Sequence, residues 1–450
     1  MNPAYLEDAS GYKGHADSIA IPSSEAELCA TLADASRAGT PVTIAGAGTG
    51  ITGGRVPFGG LVVSLERFRN IAIANGSAVV GAGVLLKELQ FAAAQTGQFY
   101  APDPTEFSAS LGGTISTNAS GSRSFLYGDT RRHILGLRVA LIDGTVLDLR
   151  RGQPIDFDTP KVPRPATTKH TAGFPLHPGM DMLDLFIGSE GTLGVVMEAT
   201  VQLLPIPAEL LSGVVFFASD DDALEAVDQW RPLAGLRMLE YIDAGSLALL
   251  RPGYPDIPRS AKAALLIEQQ INNESEYDAW EQRLEQTQAL GEASWFAASD
   301  VDRERFRRFR HALPEAVNDT VRRRGVLKMN TDFAVPIERN REMLNLYRQT
   351  LERDFPGQYV IFGHIGDAHV HVNILSAGGD QSERAAAAIT GFARQAAELG
   401  GTVSAEHGLG KRKTHLLKLQ YAPEHIDAMR AVKRRFDPQW LLGRGNLFPD

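Results

Sequence analysis

Glycine placement constrains the fold of this chain more than any other feature. The run Gly46-Ala47-Gly48-Thr49-Gly50-Ile51-Thr52-Gly53-Gly54 follows a strand-like segment at Pro41–Ala45 and leads into Pro57 and Gly59-Gly60. A G-x-G-x-x-G nucleotide fold needs a helix directly after the strand, and no helix starts well in this stretch. The run instead fits an extended loop whose bare amides wrap an anionic group, although alone it fits a glycine-rich surface loop equally well. Two further runs change that balance. Leu111-Gly112-Gly113-Thr114-Ile115-Ser116-Thr117-Asn118-Ala119-Ser120-Gly121, preceded by Pro102-Asp103-Pro104-Thr105, mixes glycine with small hydroxyl and amide side chains. Gly188–Val196 repeats the mixture before a strand. Three separated donor-rich loops exceed what turns require and suit a large, flat, phosphate-bearing ligand.

At 450 residues the chain is long enough for about two or three packed units. Its 43% apolar and 22% charged residues fit a soluble globular protein, and a formal charge of −9 argues against nucleic acid or anionic membrane as the main partner. One cysteine, Cys29, excludes a disulfide framework and any cluster held by several thiolates within the chain. There is no apolar stretch of roughly eighteen residues. Met1–Ala20 shows no charged segment followed by an apolar run, so a cytoplasmic chain is the expectation.

Strands and helices alternate in the first half. A helix is predicted over Ser23–Ala38, with Ser24 as N-cap, Glu27 three residues on and Gly39 as the stop. Strands are predicted at Leu61–Leu65 and Ala78–Gly81, a helix at Val84–Thr96, and a hairpin from Ile134–Ile142 to Val146–Leu149 around Asp143-Gly144. Gln153–Pro178, rich in proline and polar residues, reads as an exposed excursion with a mobile tip at Pro163–Lys169. Composition shifts near Leu203–Pro207. Beyond it, helices at Asp220–Trp230, Glu274–Leu290, Asp300–Arg322 and Gln381–Leu399 accompany strands at Met238–Ile242, Ala263–Glu268, Val326–Val335, Tyr359–His364 and His369–Leu375. That pattern suggests an α+β domain with an antiparallel sheet.

Titratable groups crowd into two short segments of the second half. Gly363-His364-Ile365-Gly366-Asp367-Ala368-His369-Val370-His371-Val372-Asn373 and Ala405-Glu406-His407-Gly408 hold residue types that bind a borderline divalent metal and leave a base beside it. Strand alternation puts His369, His371 and Asn373 on one face, and the Gly366-Asp367 turn brings His364 back towards it. Glu406 can complete a His-His-carboxylate set with open positions. A single histidine here would read as a satisfied core residue; the constellation does not. Alone it also suits a metal hydrolase, while the glycine loops favour redox chemistry.

The order Gly46–Gly54, Pro102–Pro104, Gly112–Gly121, Tyr127-Gly128, Gly188–Gly194 resembles the FAD-binding half of the vanillyl-alcohol oxidase-like flavoprotein superfamily. Gly363–Asn373 with Ala405–Gly410 resembles its metal-dependent branch, which contains D-lactate dehydrogenases, glycolate oxidase FAD subunits and D-2-hydroxyglutarate dehydrogenases. The resemblance spans nearly the whole chain. It implies an α+β architecture with an FAD-binding domain over 1–205, a substrate and metal domain over 206–425, and a segment 426–450 that returns to the FAD domain. It implies noncovalent FAD, because the first loop lacks a histidine. Gly46, Ala47, Gly48, Thr49, Gly50 and Gly53 would wrap the pyrophosphate, and Pro102 and Asp103 would pass near the isoalloxazine. Gly112, Gly113, Ser116, Asn118, Ser120 and Gly121 would line the diphosphate and ring, and Glu190, Gly194 and Val196 the adenosine end. His364, His371 and Glu406 would hold a divalent metal (Zn, Mn or Fe), with Asn373 and His407 facing substrate. Arg310 would fix a substrate carboxylate, with Lys328 as a second candidate. The implied reaction oxidises a small 2-hydroxy acid of the D-lactate, glycolate or D-2-hydroxyglutarate type, with His407 taking the hydroxyl proton and hydride passing to flavin N5.

Three positions depart from the family pattern. His369 replaces the usual residue and is either an alternative ligand or a group behind the ligands. Pro314 stands where hydroxyglutarate-type relatives have another residue, which bears on a dicarboxylate substrate. Gly443-Arg444 stands where Asn-Pro is common, leaving Asn446 and Arg444 as candidates for the flavin contact. An O₂-using oxidase, an idle FAD-binding subunit of a larger complex and a non-redox hydrolase are the alternatives. The electron acceptor is open among quinone, carrier flavoprotein, cytochrome and partner subunit, and a homodimer is compatible with the chain.

Overall fold

The computed structural model describes residues 2–326, 328–375 and 378–448. In the N-terminal half, a parallel sheet ordered Ser18–Ala20, Leu61–Ser64, Val42–Ala45 accompanies an antiparallel sheet ordered Ile71–Ala74, Ser77–Gly81, Val195–Gln202, Ile134–Ala140, Val146–Arg150. They share a core in which Leu28 and Leu32 of the helix Glu25–Ala38 pack with Val42, Val63, Ala140, Val195 and Met197. That helix starts and stops where the sequence predicts. Ser24 Oγ accepts the Glu27 amide, the Glu27 carboxylate accepts from Ser23, and Gly39 closes the last turn at φ +64°. The first glycine run is a loop, as expected. The second run forms a short helix, Leu111–Thr117, which the sequence reading left unassigned. Gly112 permits it, since a Cβ there would lie 2.7 Å from the Ala82 Cβ.

The C-terminal half is built on an antiparallel seven-stranded sheet ordered Trp295–Phe296, Leu210–Phe217, Ala263–Gln270, Leu236–Ile242, Tyr359–His364, His369–Ile374, Met329–Asn330. Both faces are covered, which explains near-continuous apolar runs instead of alternating ones. Along Leu210–Phe217, Val215 and Phe217 join the large core containing Trp230 and Tyr347, while Val214 and Phe216 join the one containing Phe306, Phe309 and Leu313. Helices Ser275–Gln286, Asp300–Arg324 and Asp380–Glu398 lie where predicted, with ends shifted by a few residues.

Two expectations are corrected. Of the predicted strand Val326–Val335, Met329–Asn330 pairs with the strand His369–Ile374 and Ala334 bridges His369, so the strand is interrupted rather than continuous; Leu327 lies outside the described residues. The interruption falls at Asp332, whose buried carboxylate binds the amides of Glu406 and His407. The excursion Gln153–Pro178 is not simply exposed. Val162, Ala172, Phe174 and Leu176 are buried, and Lys169 is 1% exposed, because its ammonium reaches Glu406. Near the C-terminus, Val42 N donates to Leu441 O at 2.8 Å and Gly443 N donates to Val42 O at 2.9 Å. Met1, Pro449 and Asp450 lie outside the described residues. Among the described residues no helix is long and apolar enough to cross a membrane.

Candidate functional site: a glycine-walled cavity facing a histidine–carboxylate cluster

A cavity of about 730 Å³, a size that suits a cofactor with its substrate, is lined by both halves. One wall is the loop Gly46–Ile51, the helix Leu111–Thr117 and Ser120-Gly121. The lining continues through Glu240, Arg310, Pro314, Lys328, His364, His371, Asn373, Glu406 and His407, the two parts meeting where Gly121 N donates to Glu406 Oε1 at 2.8 Å. The cofactor wall is small-residue by necessity. A Cβ on Gly46 would lie 2.7 Å from Ser110 Oγ, and one on Gly121, at φ +90°, would lie 1.9 Å from Asp103 O. Ser110, which the sequence reading passed over, accepts the Ala47 amide at 3.3 Å and ties loop to helix.

Of the expected cofactor residues, Gly46, Ala47, Gly48, Thr49, Gly50, Gly112, Gly113, Ser116, Ser120, Gly121, Glu190, Gly194 and Val196 line the cavity. Gly53, Pro102, Asp103 and Asn118 are not among its lining residues. Asn118 spends its carboxamide internally, Nδ2 donating to Asp129 at 2.8 Å and Oδ1 accepting Arg131 N at 2.9 Å. Asp103 lies 3.5 Å from Arg123 Nε. Glu190 borders the cavity, but its carboxylate accepts the amides of Leu409 (2.7 Å) and Gly410 (2.6 Å) and so holds the loop after Glu406; burial pushes its pKa up to about 7. Asn446 lines the cavity, with Nδ2 donating to Gly54 O and Glu190 O, whereas Arg444 is exposed.

The second part of the lining gathers the titratable groups from three places in the chain. The hairpin Tyr359–His364/His369–Ile374 pairs Phe362 with His371 and His364 with His369. His364 Nδ1 donates to Glu240 Oε1 at 2.5 Å, and its Nε2 is 3.1 Å from Glu406 Oε2. Burial opposes charge on His364, but the carboxylates of Glu240 and Glu406 outweigh it and raise its pKa to about 9. His371 Nδ1 donates to Thr331 O at 3.2 Å, which fixes the tautomer with a free lone pair on Nε2. Burial and the neighbouring histidines hold His371 well below the usual range, so it is neutral. His364, His369, His371 and Glu406 each bring one donor atom to within 4.8 Å of the others.

Asp332 is the hub of this wall. Its Oδ1 lies 3.1 Å from His407 Nδ1 and 3.2 Å from His369 Nε2, while Oδ2 accepts His407 N and Ser404 Oγ. Burial works against its charge, but His407 and His369 keep it ionised, well below the ordinary carboxylate range. The sequence reading missed Asp332, Glu240 and Lys169. The first two carried a usable signal, an acid inside an apolar strand segment, because a buried carboxylate must find partners. Arg310 Nε donates to Glu240 Oε2 at 2.9 Å and Nη1 to Thr105 Oγ1 at 3.2 Å. Pro314, within the same helix, cannot donate to the Arg310 carbonyl one turn back. Burial, with Lys413 and Arg412 nearby, pushes the Lys328 amine down to about 8, and its Nζ donates to Asn318 Oδ1 at 3.0 Å.

A glycine-walled cavity that also holds groups able to take a proton fits a cofactor-dependent enzyme better than a binding module. Residues 16–150 match the FAD binding domain and residues 206–447 match the C-terminal domain of FAD linked oxidases. The chain belongs to the FAD-linked oxidase family and is an FAD-binding oxidoreductase. It is 32% identical to the glycolate oxidase subunit GlcD of Bacillus subtilis, over 97% of this chain and 90% of that protein. It is 29% identical to a D-lactate dehydrogenase of Archaeoglobus fulgidus, covering 95% and 90%. It is 30% identical to the D-2-hydroxyglutarate dehydrogenase of Xanthomonas citri pv. viticola, covering 96% and 89%. In backbone it is similar to an alkyldihydroxyacetonephosphate synthase, with a TM-score of 0.67 at 17% identity over 94% of this chain and 76% of that one. The expected α+β fold of the vanillyl-alcohol oxidase type is the one found.

Proposed function

We propose that this protein uses FAD and a divalent metal to oxidise a D-2-hydroxy acid, of the D-lactate, glycolate or D-2-hydroxyglutarate type, to the 2-oxo acid. The observation that carries the reading is the Asp332–His407 pair standing beside a His364–His371–Glu406 set in the cavity that the glycine loops wall. The names of three relatives support the substrate class. The residues fit both groups. Several glycines of the cofactor wall tolerate no side chain, and two imidazoles present ring nitrogens towards one carboxylate while their other nitrogens are anchored.

Bound FAD supplies a two-electron acceptor, and the metal supplies Lewis acidity towards the substrate hydroxyl. The chain does the rest. Arg310, braced by Glu240 and Thr105, has further N–H groups for a substrate carboxylate. Asn373 is 2% exposed, and among the described residues its Oδ1 has no hydrogen-bond partner, so it can accept from substrate. With Asp332 at Nδ1, His407 offers Nε2 as the base that removes the hydroxyl proton, and Asp332 stabilises the imidazolium that forms. Lys328 adds a second cation at the cavity wall. The single cysteine supports a cytoplasmic setting and an external electron acceptor.

Anaerobic mixing of FAD- and metal-loaded protein with D-lactate, glycolate and D-2-hydroxyglutarate tests this reading. Bleaching of the flavin absorbance by at least one is expected, and no bleaching by any of them would sink it. That outcome would favour an idle subunit, a reading to which the subunit name of one relative lends support. Rapid reoxidation of the bleached protein in air would indicate an oxidase.

A further inference from the structure

We infer that His369 is a fourth protein ligand of the metal, making a three-imidazole, one-carboxylate site that, with substrate bound, suits a six-coordinate ion of the Mn(II) or Fe(II) type. The inference rests on the metal-dependent reading above. His369 opens the strand His369–Ile374 two residues before His371, so both side chains leave the same face. Its ring centroid is 4.5 Å from that of His371 and 5.2 Å from that of His364. It is 0% exposed, and among the described residues neither ring nitrogen has a hydrogen-bond partner. Asp332 Oδ1 lies 3.2 Å from Nε2, an electrostatic contact outside hydrogen-bond geometry like the 3.1 Å contact of the same oxygen with His407 Nδ1, and among the described residues Nδ1 of His369 has no acceptor or donor. A buried imidazole left this way is unfavourable, and a cation among the four converging donors would satisfy it. Ala368, in the left-handed region at φ +51°, closes the turn after Ile365–Asp367 and so delivers His369 opposite His364.

Donor counting bears on the ion once substrate is bound. Glu406 Oε1 accepts from Lys169 Nζ at 2.7 Å and from Gly121 N at 2.8 Å, so Oε2 alone faces the cluster and the carboxylate counts once. Four protein donors plus the two oxygens of a 2-hydroxy acid make six. Octahedral ions accept six donors, whereas Zn(II) prefers four and reaches five with difficulty.

The test uses FAD-loaded protein, stripped of metal and reloaded separately with Mn(II) and Zn(II). Metal affinity is measured by titration and the donor set by X-ray absorption of the Mn(II) form. Wild type should bind one Mn(II) with three imidazoles in a six-donor shell. His369→Asn and His369→Phe should keep their flavin absorbance and lose Mn(II) affinity by about a hundredfold or more, with a smaller loss for Zn(II). Two imidazoles in the wild-type spectrum, or unchanged Mn(II) affinity in both variants, overturns the inference. If both variants lose flavin through misfolding, the wild-type imidazole count decides alone. A wild type that binds no metal overturns this inference together with the metal-dependent reading. Flavin bleaching by a 2-hydroxy acid in a protein with only two imidazoles overturns this inference alone.

Discussion

Lys169 Nζ lies 2.7 Å from Glu406 Oε1, so the excursion Gln153–Pro178 is fastened to the centre of the site by a buried ion pair. The same ammonium donates to Gly121 O at 2.9 Å and lies 3.4 Å from Asp367 Oδ2. Burial opposes its charge, but Glu406 and Asp367 outweigh that and raise its pKa, so it stays protonated. Lys169→Met would leave two carboxylates short of their cation. We expect a loss of roughly 3 kcal/mol in urea unfolding, the cost of breaking one side of a buried pair. A change within experimental error would mean that Glu406 does not depend on Lys169.

His407→Ala should keep FAD and metal but slow flavin reduction by substrate by about 10²- to 10⁴-fold in anaerobic stopped flow, as loss of a general base does. Asp332→Asn should also slow it, because an amide can no longer hold His407 as an ionised partner would. Normal reduction rates in His407→Ala would remove this residue from the base role.

Much of this was legible in the sequence because each local signal had one physical cause. Ser24 and Gly39 cap a helix, and the spacing of His369 and His371 fixes a strand face. Donors that meet through tertiary contacts were not legible. Lys169 sits in a polar, proline-rich stretch, and nothing local distinguishes a buried lysine from a solvated one. Asn118 fits a cofactor loop by type, yet Asp129 and Arg131 take its carboxamide. The strand predicted over Val326–Val335 is interrupted at Asp332, which spends its carboxylate on the Glu406 and His407 amides instead of pointing to solvent.

Metal loading should depend on pH through His364. Its pKa of about 9 in the metal-free protein means that a proton occupies the ring at neutral pH and must leave when Nε2 takes a metal. Apparent affinity should rise about tenfold per pH unit between pH 6 and 8, with about one proton released per ion in calorimetry across buffers. The sign for folding is opposite. The raised pKa stabilises the metal-free protein fully below the unfolded value of about 6.5, and that contribution is lost as pH rises through about 9. An affinity that ignores pH would remove His364 from the ligand set.

Gly363 governs where His371 sits. It lies at φ +127°, and a Cβ there would stand 2.9 Å from His371 Cδ2 and 3.5 Å from His371 N. Alanine is therefore strained by its backbone and also drives against the ring whose Nδ1 is anchored to Thr331 O. The ring must shift to make room, with Phe362 paired to it across the strands. We expect Gly363→Ala to fold and retain FAD, since the atoms nearest the added Cβ belong to His371 and His369 and not to the glycine loops. Stability should fall by roughly 1–3 kcal/mol, the usual cost of such a backbone position. Mn(II) affinity should drop by about tenfold or more, as when the orientation of a ligand is lost. Titration with Mn(II) beside thermal unfolding checks both, and full metal affinity in a destabilised Gly363→Ala protein would show that the His371 ring is not among the ligands.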